Sequence, residues 1–170
     1  MYINCHTWYS LRFGTFSEIE LLEMAKEQGL KQLVLTDINN TSACLNFIRK
    51  SKDYAIKPIV GIDYRNNVQQ LYVGIAKNNQ GFYELNTFLS KYTHVKDTFP
   101  EIAPRFKNAY IIYPFEQVLL LNKTDFESHE FIGVTIKDLR KLPFSIYKEM
   151  KDKLVVLQAV TFRNKRDHNI

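Results

Sequence analysis

The stretch Lys31-Gln32-Leu33-Val34-Leu35-Thr36-Asp37 decides the fold: branched apolar residues give way at once to a polar turn, Thr36-Asp37-Ile38-Asn39-Asn40. The run is too short for a helix and reads as a strand whose carboxyl end delivers a carboxylate into a loop. Working towards the amino terminus, Ser17 and Glu20 have the spacing of a capping box. A helix therefore begins at Ser17, carries Ile19, Leu21, Leu22, Met24 and Ala25 as apolar residues, and ends at Gly29. Before it, Tyr2 to Thr7 reads as a strand. Towards the carboxyl terminus a second helix is expected over Ser42 to Asp53, with Leu45, Phe47 and Ile48 facing inward. Pro58 then opens a third strand, Ile59 to Tyr64, a position a strand tolerates. The order is βαβαβ, which feeds parallel strands through crossover helices and defines the class as α/β.

The remainder is less regular. A return through Arg65-Asn66-Asn67 leads to a strand over Gln70 to Ala76 and a helix from about Gln80 to Lys91. Tyr92 to Asn108 holds Pro100 and Pro104 among mixed charges without periodicity and reads as a loop. Strands are expected at Tyr110 to Tyr113, Val118 to Leu121, Phe131 to Val134 and Leu154 to Val160. A capped helix is expected to start near Thr135 and to be disturbed at Pro143.

Composition bounds the function classes. With 170 residues, 45% of them hydrophobic, and a net charge of only +5, the chain is a folded single domain and not a solvated polar one. No apolar run approaches the roughly 18 residues of a membrane span, and Met1 to Trp8 lacks the pattern of a leader peptide, so no membrane association and a cytoplasmic location are expected. Cys5 and Cys44 read as buried thiols. The basic balance permits nucleic-acid contact, but no zinc finger, Gly-rich phosphate loop or RNA-binding aromatic signature accompanies it.

In parallel α/β folds the chemistry sits at the carboxyl ends of the strands. Asn4 and His6 leave the first strand on the same side, Asp37 ends the second and Asp63 nearly ends the third. Imidazole nitrogen and carboxylate oxygen are zinc and manganese ligands, so these residues are metal-site candidates. An interior hydrogen-bonded histidine and turn-capping aspartates give the same pattern. His94, His129 and His168 sit in no comparable setting and are expected in solvent.

Four segments occur in order: His6-Thr7-Trp8-Tyr9-Ser10-Leu11 with Gly14, Leu35-Thr36-Asp37 with Asn40, Ile56-Lys57-Pro58-Ile59-Val60-Gly61, and Ala76-Lys77-Asn78 with Gly81. Together, over Tyr2 to Leu89, they resemble the amino-terminal PHP (polymerase and histidinol phosphatase) domain of bacterial replicative DNA polymerase III alpha subunits. Leu154 to Arg163 is similar to the segment leading towards the polymerase core. The resemblance implies a PHP-type distorted β/α barrel, abridged or truncated here. Residues 1-170 would be one PHP domain, a fragment of a longer chain, with 92-108 a loop and 163-170 the start of a linking helix.

Active members carry His-x-His on the first strand, Asp-His after the second and a Glu on the third. The matching positions here are Asn4 and His6, Asp37 and Ile38, and Asp63, so two imidazoles are missing. The resemblance therefore implies a vestigial metal site, with no catalytic residue and no cofactor expected. A weak single ion (Zn, Mn or Mg) on His6, Asp37 and Asp63 is the remaining option. A hydrogen-bonded network is expected in its place, with Asn4, Asn39 and Asn40 donating to carboxylates and protonated His6 pairing with Asp37 or Asp63. The implied function is a non-catalytic support and docking domain of a DNA-directed DNA polymerase, a nucleotidyltransferase of DNA replication. Its implied partners are the rest of the polymerase chain, a proofreading exonuclease subunit and, through the whole protein, DNA. The alternative is a metal-dependent PHP phosphoesterase or 3′-5′ exonuclease.

Overall fold

The computed structural model describes residues 2–11 and 13–162. Three parallel strands open the chain: β1 (Asn4–Cys5), β2 (Gln32–Leu35) and β3 (Lys57–Asn66). They are joined by α1 (Glu18–Glu27) and by α2 (Cys44–Ser51) with a 3-10 turn, Lys52–Tyr54. The α1 capping box is present: the Glu20 N–H donates to the Ser17 hydroxyl at 3.2 Å, and the Ser17 N–H to the Glu20 carboxylate at 2.8 Å. β4 (Gln69–Ala76) returns antiparallel to β3, and α3 (Asn79–Val95) leads to β5 (Ala109–Pro114), antiparallel to β4. The chain continues through α4 (Phe115–Leu121), β6 (Glu130–Val134), β7 (Leu154–Val156) and β8 (Ala159–Val160), with β6 parallel to β5 and β7 parallel to β6.

The strand order is β7-β6-β5-β4-β3-β2-β1-β8. β7 and β8 lie at opposite ends of that order yet are two halves of one extended segment, 154–160. Its first half pairs with β6, its second half with β1, and the Leu157 N–H between them donates to Val134 O at 2.9 Å. Residues this close in the chain cannot lie far apart, so the mixed sheet curls round until both edges meet the same segment. The result is an abridged, distorted α/β barrel.

Alternation along the strands sorts the core into an inside and an outside. Val34, Val73, Ile75, Ile112 and Leu157 pack within the barrel. Outside, Cys5, Leu33, Leu35 and Val60 meet α1 and α2, and Ile62, Tyr64, Ile111 and Tyr113 meet α3 and α4.

Several expectations are corrected. Residues 118–121 are helical: Phe115 and Val118, three apart and both buried, form one face of α4, and Asn122 ends it in the left-handed region at φ 49°. Instead of a helix after Thr135 there are 3-10 turns at Asp138–Arg140, Leu142–Phe144, Ile146–Glu149 and Lys151–Lys153. Pro143 lacks a donor and disfavours α geometry at Leu142. The expected loop at 92–108 begins only after Val95, because Tyr92 stacks on Phe88 and Phe99 and holds the last turns of α3. Leu45 is 74% exposed, since α2 buries Cys44, Phe47 and Ser51. His129 is buried beside Glu127, 3.7 Å from its carboxylate, whereas His94 is exposed. His168 and the expected linking helix lie outside the described residues.

Candidate functional site

The carboxyl ends of β1, β2 and β3 converge because their ladders are parallel and in register, Cys5 opposite Leu35 and Leu35 opposite Val60. With Cys5 facing the helices, Asn4 and His6 face the barrel interior, and both are buried. His6 Nε2 lies 2.9 Å from Asn4 Oδ1 and 3.0 Å from Asp63 Oδ2. Both neighbours are acceptors, so Nε2 carries the proton. Nδ1 is buried and meets no partner. The Thr36 hydroxyl donates to Asn4 Oδ1 at 3.0 Å.

Asp63 is wholly buried, and its Oδ2 is the hub of the site. Besides His6 it accepts from Arg65 Nη2 at 2.8 Å, Arg65 Nε at 3.2 Å and Gln70 Nε2 at 2.9 Å. The Arg65 side chain is only 11% exposed and its guanidinium lies over the Phe13 ring, 4.8 Å from the centroid. Two devices aim it. The β3–β4 register shifts between Tyr64 and Arg65, a bulge of the kind that re-aims a side chain beside a site. Asn39 clamps the Arg65 backbone, accepting from its N–H at 2.9 Å and donating to its carbonyl at 2.8 Å.

Asp37 belongs to an adjoining network. Its Oδ1 accepts from the Thr7 N–H and the Ser10 hydroxyl, each at 2.6 Å, and its Oδ2 from the Thr7 hydroxyl at 2.8 Å. Ser10 Oγ in turn accepts the Ile38 N–H at 2.9 Å. The carboxylate is thus a brace for the loop after β1, which presents Trp8 and Leu11 to solvent.

The five residues picked out in the sequence, Asn4, His6, Asp37, Ile38 and Asp63, therefore share one end of the barrel, but only Asn4, His6 and Asp63 join side chains; Asp37 and Ile38 meet Asp63 through the backbone, where the Asp63 N–H donates to the Asp37 carbonyl at 3.2 Å. His6 pairs with Asp63 and not with Asp37. The three asparagines are placed otherwise than expected: Asn4 Oδ1 meets His6 and Thr36, Asn39 holds Arg65, and Asn40 Oδ1 accepts the Ser42 N–H at 2.7 Å. Thr7, Ser10, Thr36, Arg65 and Gln70 complete the site and went unread. For Arg65 and Gln70 a signal existed, since alternate residues on a strand and their cross-strand partners share a face. The donor set does not fit a multinuclear metal centre. Asn4 offers a neutral amide oxygen, Ile38 offers nothing, and Asp37 is saturated by hydrogen bonds. A guanidinium already sits on Asp63, which leaves only His6 Nδ1 and Asp63 Oδ1 as unpartnered atoms. Among the described residues, no three His, Cys, Asp or Glu side chains are placed to share an ion.

The family described as "PHP domain" matches residues 3–160. The chain belongs to the PHP family. The match runs through 92–150, where the sequence shows no motif. DNA polymerase III subunit alpha of Ureaplasma parvum serovar 3 is 26% identical to this PHP chain over 162 residues, 95% of its length. The same subunit of Escherichia coli K12 is 30% identical over 99 residues and that of Helicobacter pylori 30% over 105, covering 54% and 56% of the chain. The chain spans 16% of the Ureaplasma relative and 8% and 9% of the other two. A solved chain from Bifidobacterium adolescentis, assigned provisionally as a metal-dependent phosphoesterase, is 20% identical over 55% of this chain and 35% of its own, with a TM-score of 0.39.

Proposed function

We propose that this PHP domain is a non-catalytic support unit of a bacterial replicative DNA polymerase of the III-alpha type, in which an internal cation has taken over the structural task of bound metal. The observation that carries this reading is the Arg65 guanidinium on buried Asp63, among Asn4, His6 and Gln70. A buried carboxylate needs a compensating charge and hydrogen bonds. Arg65 provides the charge without any ion, and a fixed organic cation cannot activate water as a metal does. Similarity to polymerase alpha subunits along 95% of the chain supports the polymerase context, and with it a role in DNA replication in the cytoplasm. A proofreading exonuclease is the expected partner, with DNA met through the rest of the polymerase.

The test is elemental analysis of chain purified without chelators, with hydrolysis of phosphomonoesters and of DNA 3′ ends assayed in added manganese. Metal far below one ion per chain and no turnover are expected. Stoichiometric metal with turnover that His6→Ala abolishes would overturn the proposal in favour of a phosphoesterase. The polymerase context is tested separately by sequencing beyond the Ile170 codon, where a stop codon would refute it and leave the degenerate site standing.

A further inference from the structure

The opposite end of the barrel holds a cavity of about 580 Å³ that takes no part in the site above. Six successive strands line it with one interior residue each: Val34 of β2, Ile59 of β3, Ile75 of β4, Ile112 of β5, Phe131 of β6 and Val155 of β7, and Ile48 of α2 and Phe82 of α3 also line it. Ile59, Phe131 and Val155 are only partly buried, so the barrel's inner apolar layer meets water here. Lys57 and Lys77 stand at the rim. They lie two positions from Ile59 and Ile75, on the interior-facing side of antiparallel neighbours paired Gly61 to Ile75. The Lys77 ammonium lies 4.5 Å from the centroid of the Tyr110 ring. Among the described residues no carboxylate lines the cavity and neither lysine makes a salt bridge.

An apolar recess with two uncompensated cations at its mouth favours an occupant with an apolar body and one negative head. A helix about 10 Å across would fill a recess of about 580 Å³ with little more than one turn, whereas an alkyl tail fits within it. We propose that this end of the barrel is a binding site for a small amphipathic monoanion, a straight-chain carboxylate. Its tail lies among Ile59, Ile75, Ile112, Phe131 and Val155, and its head meets Lys57 and Lys77. The proposal is independent of the polymerase reading.

Titration calorimetry of the 170-residue chain with hexanoate, octanoate and decanoate below micelle formation, together with amide shifts in nuclear magnetic resonance spectra, tests it. Expected are a single site, affinity rising about fourfold per added methylene, and shifts at Ile75, Ala76, Lys77 and Asn78 but not at Asp37 or Asp63. Decanol and the Lys57→Glu/Lys77→Glu variant should each bind at least roughly tenfold more weakly, as loss of a charge pair predicts. Both lysines are exposed, so that variant keeps the fold, which circular dichroism checks. Val155→Phe fills the recess and should abolish binding; if it does not fold, the lysine variant decides alone. Absence of saturation, equal binding of decanol and decanoate, or shifts elsewhere would overturn the proposal. So would a dimer that Val155→Phe disperses while decanoate leaves it intact, because a second copy of the chain would then cover the recess.

Discussion

At Asp63 one carboxylate oxygen gathers four donor contacts while the other, equally buried, has none. The Arg65 guanidinium supplies two of the four contacts and is the cation of the site. Removing one partner of a buried pair leaves a bare charge, which costs about 3 to 5 kcal/mol. Arg65→Ala should therefore destabilise the chain by about 3 kcal/mol in urea unfolding. Asp63→Asn should be far less damaging in that background than in the native one, since it removes the charge Arg65 no longer meets. A double-mutant cycle should give a coupling of about 2 kcal/mol. Independent, additive effects would show that Arg65 only packs against Phe13. Asp37, in contrast, is the brace that fixes Thr7 and Ser10.

At the scale of elements, what was legible in the sequence is what local chemistry determines. The Ser17 and Glu20 capping box placed the start of α1 within a residue, the apolar run Lys31 to Leu35 placed β2, and Pro58 marked β3, which runs two residues further at each end than Ile59 to Tyr64. Asn4, His6 and Asp63 could be read as neighbours because parallel strands align their carboxyl ends. Arg65, two positions from Asp63 on the same strand, carried the same signal, but the register shift of β4 opposite it, which sets its aim, leaves no mark in the sequence. Residues 118–121, four apolar residues in succession, carry no period of their own, and flanking Pro114 and Asn122 turn them into a helix. The β3–β4 hairpin also holds a requirement that periodicity does not reveal. A Cβ at Gly61 would lie 2.2 Å from Gly74 O, a backbone atom, whereas one at Gly74 would lie 2.5 Å from Leu85 Cδ2, the tip of a side chain that can turn aside. Gly61→Ala should thus cost about 3 kcal/mol and Gly74→Ala about 1 kcal/mol, within the range for overpacked cores. Thermal or urea unfolding of the two variants checks the order, and a reversed order would mean that the side-chain contact with α3, not backbone approach, sets the hairpin's curvature.

For the whole molecule, closure by segment 154–160 leaves two outer layers on the barrel, and each buries groups that ionise in alkali. Cys5 and Cys44 lie in the layer under α1 and α2, where burial, aided by the nearby Asp37 charge, pushes both thiols from 9.0 up to about 12. Tyr64, Tyr72 and Tyr113 lie in the layer under α3 and α4, and burial raises all three phenols. The sign follows from linkage. Below pH 9 the thiols are protonated in both the folded and unfolded chains, and their contribution to stability is fully present. Above it the unfolded chain releases protons that the folded chain keeps, so stability falls, by about 1.4 kcal/mol per pH unit for each thiol until it ionises in the fold. Urea midpoints should be level from pH 7 to 8.5 and drop steeply by pH 11, with far- and near-ultraviolet signals lost together because the closing segment ties both layers to one barrel. Cys5→Ala/Cys44→Ala should lose less between pH 8.5 and 11 than the native chain, relative to its own value at pH 8.5. A native profile that stays level to pH 11 would mean that the thiols ionise without unfolding, and hence that the layer around α1 and α2 opens to solvent independently of the barrel.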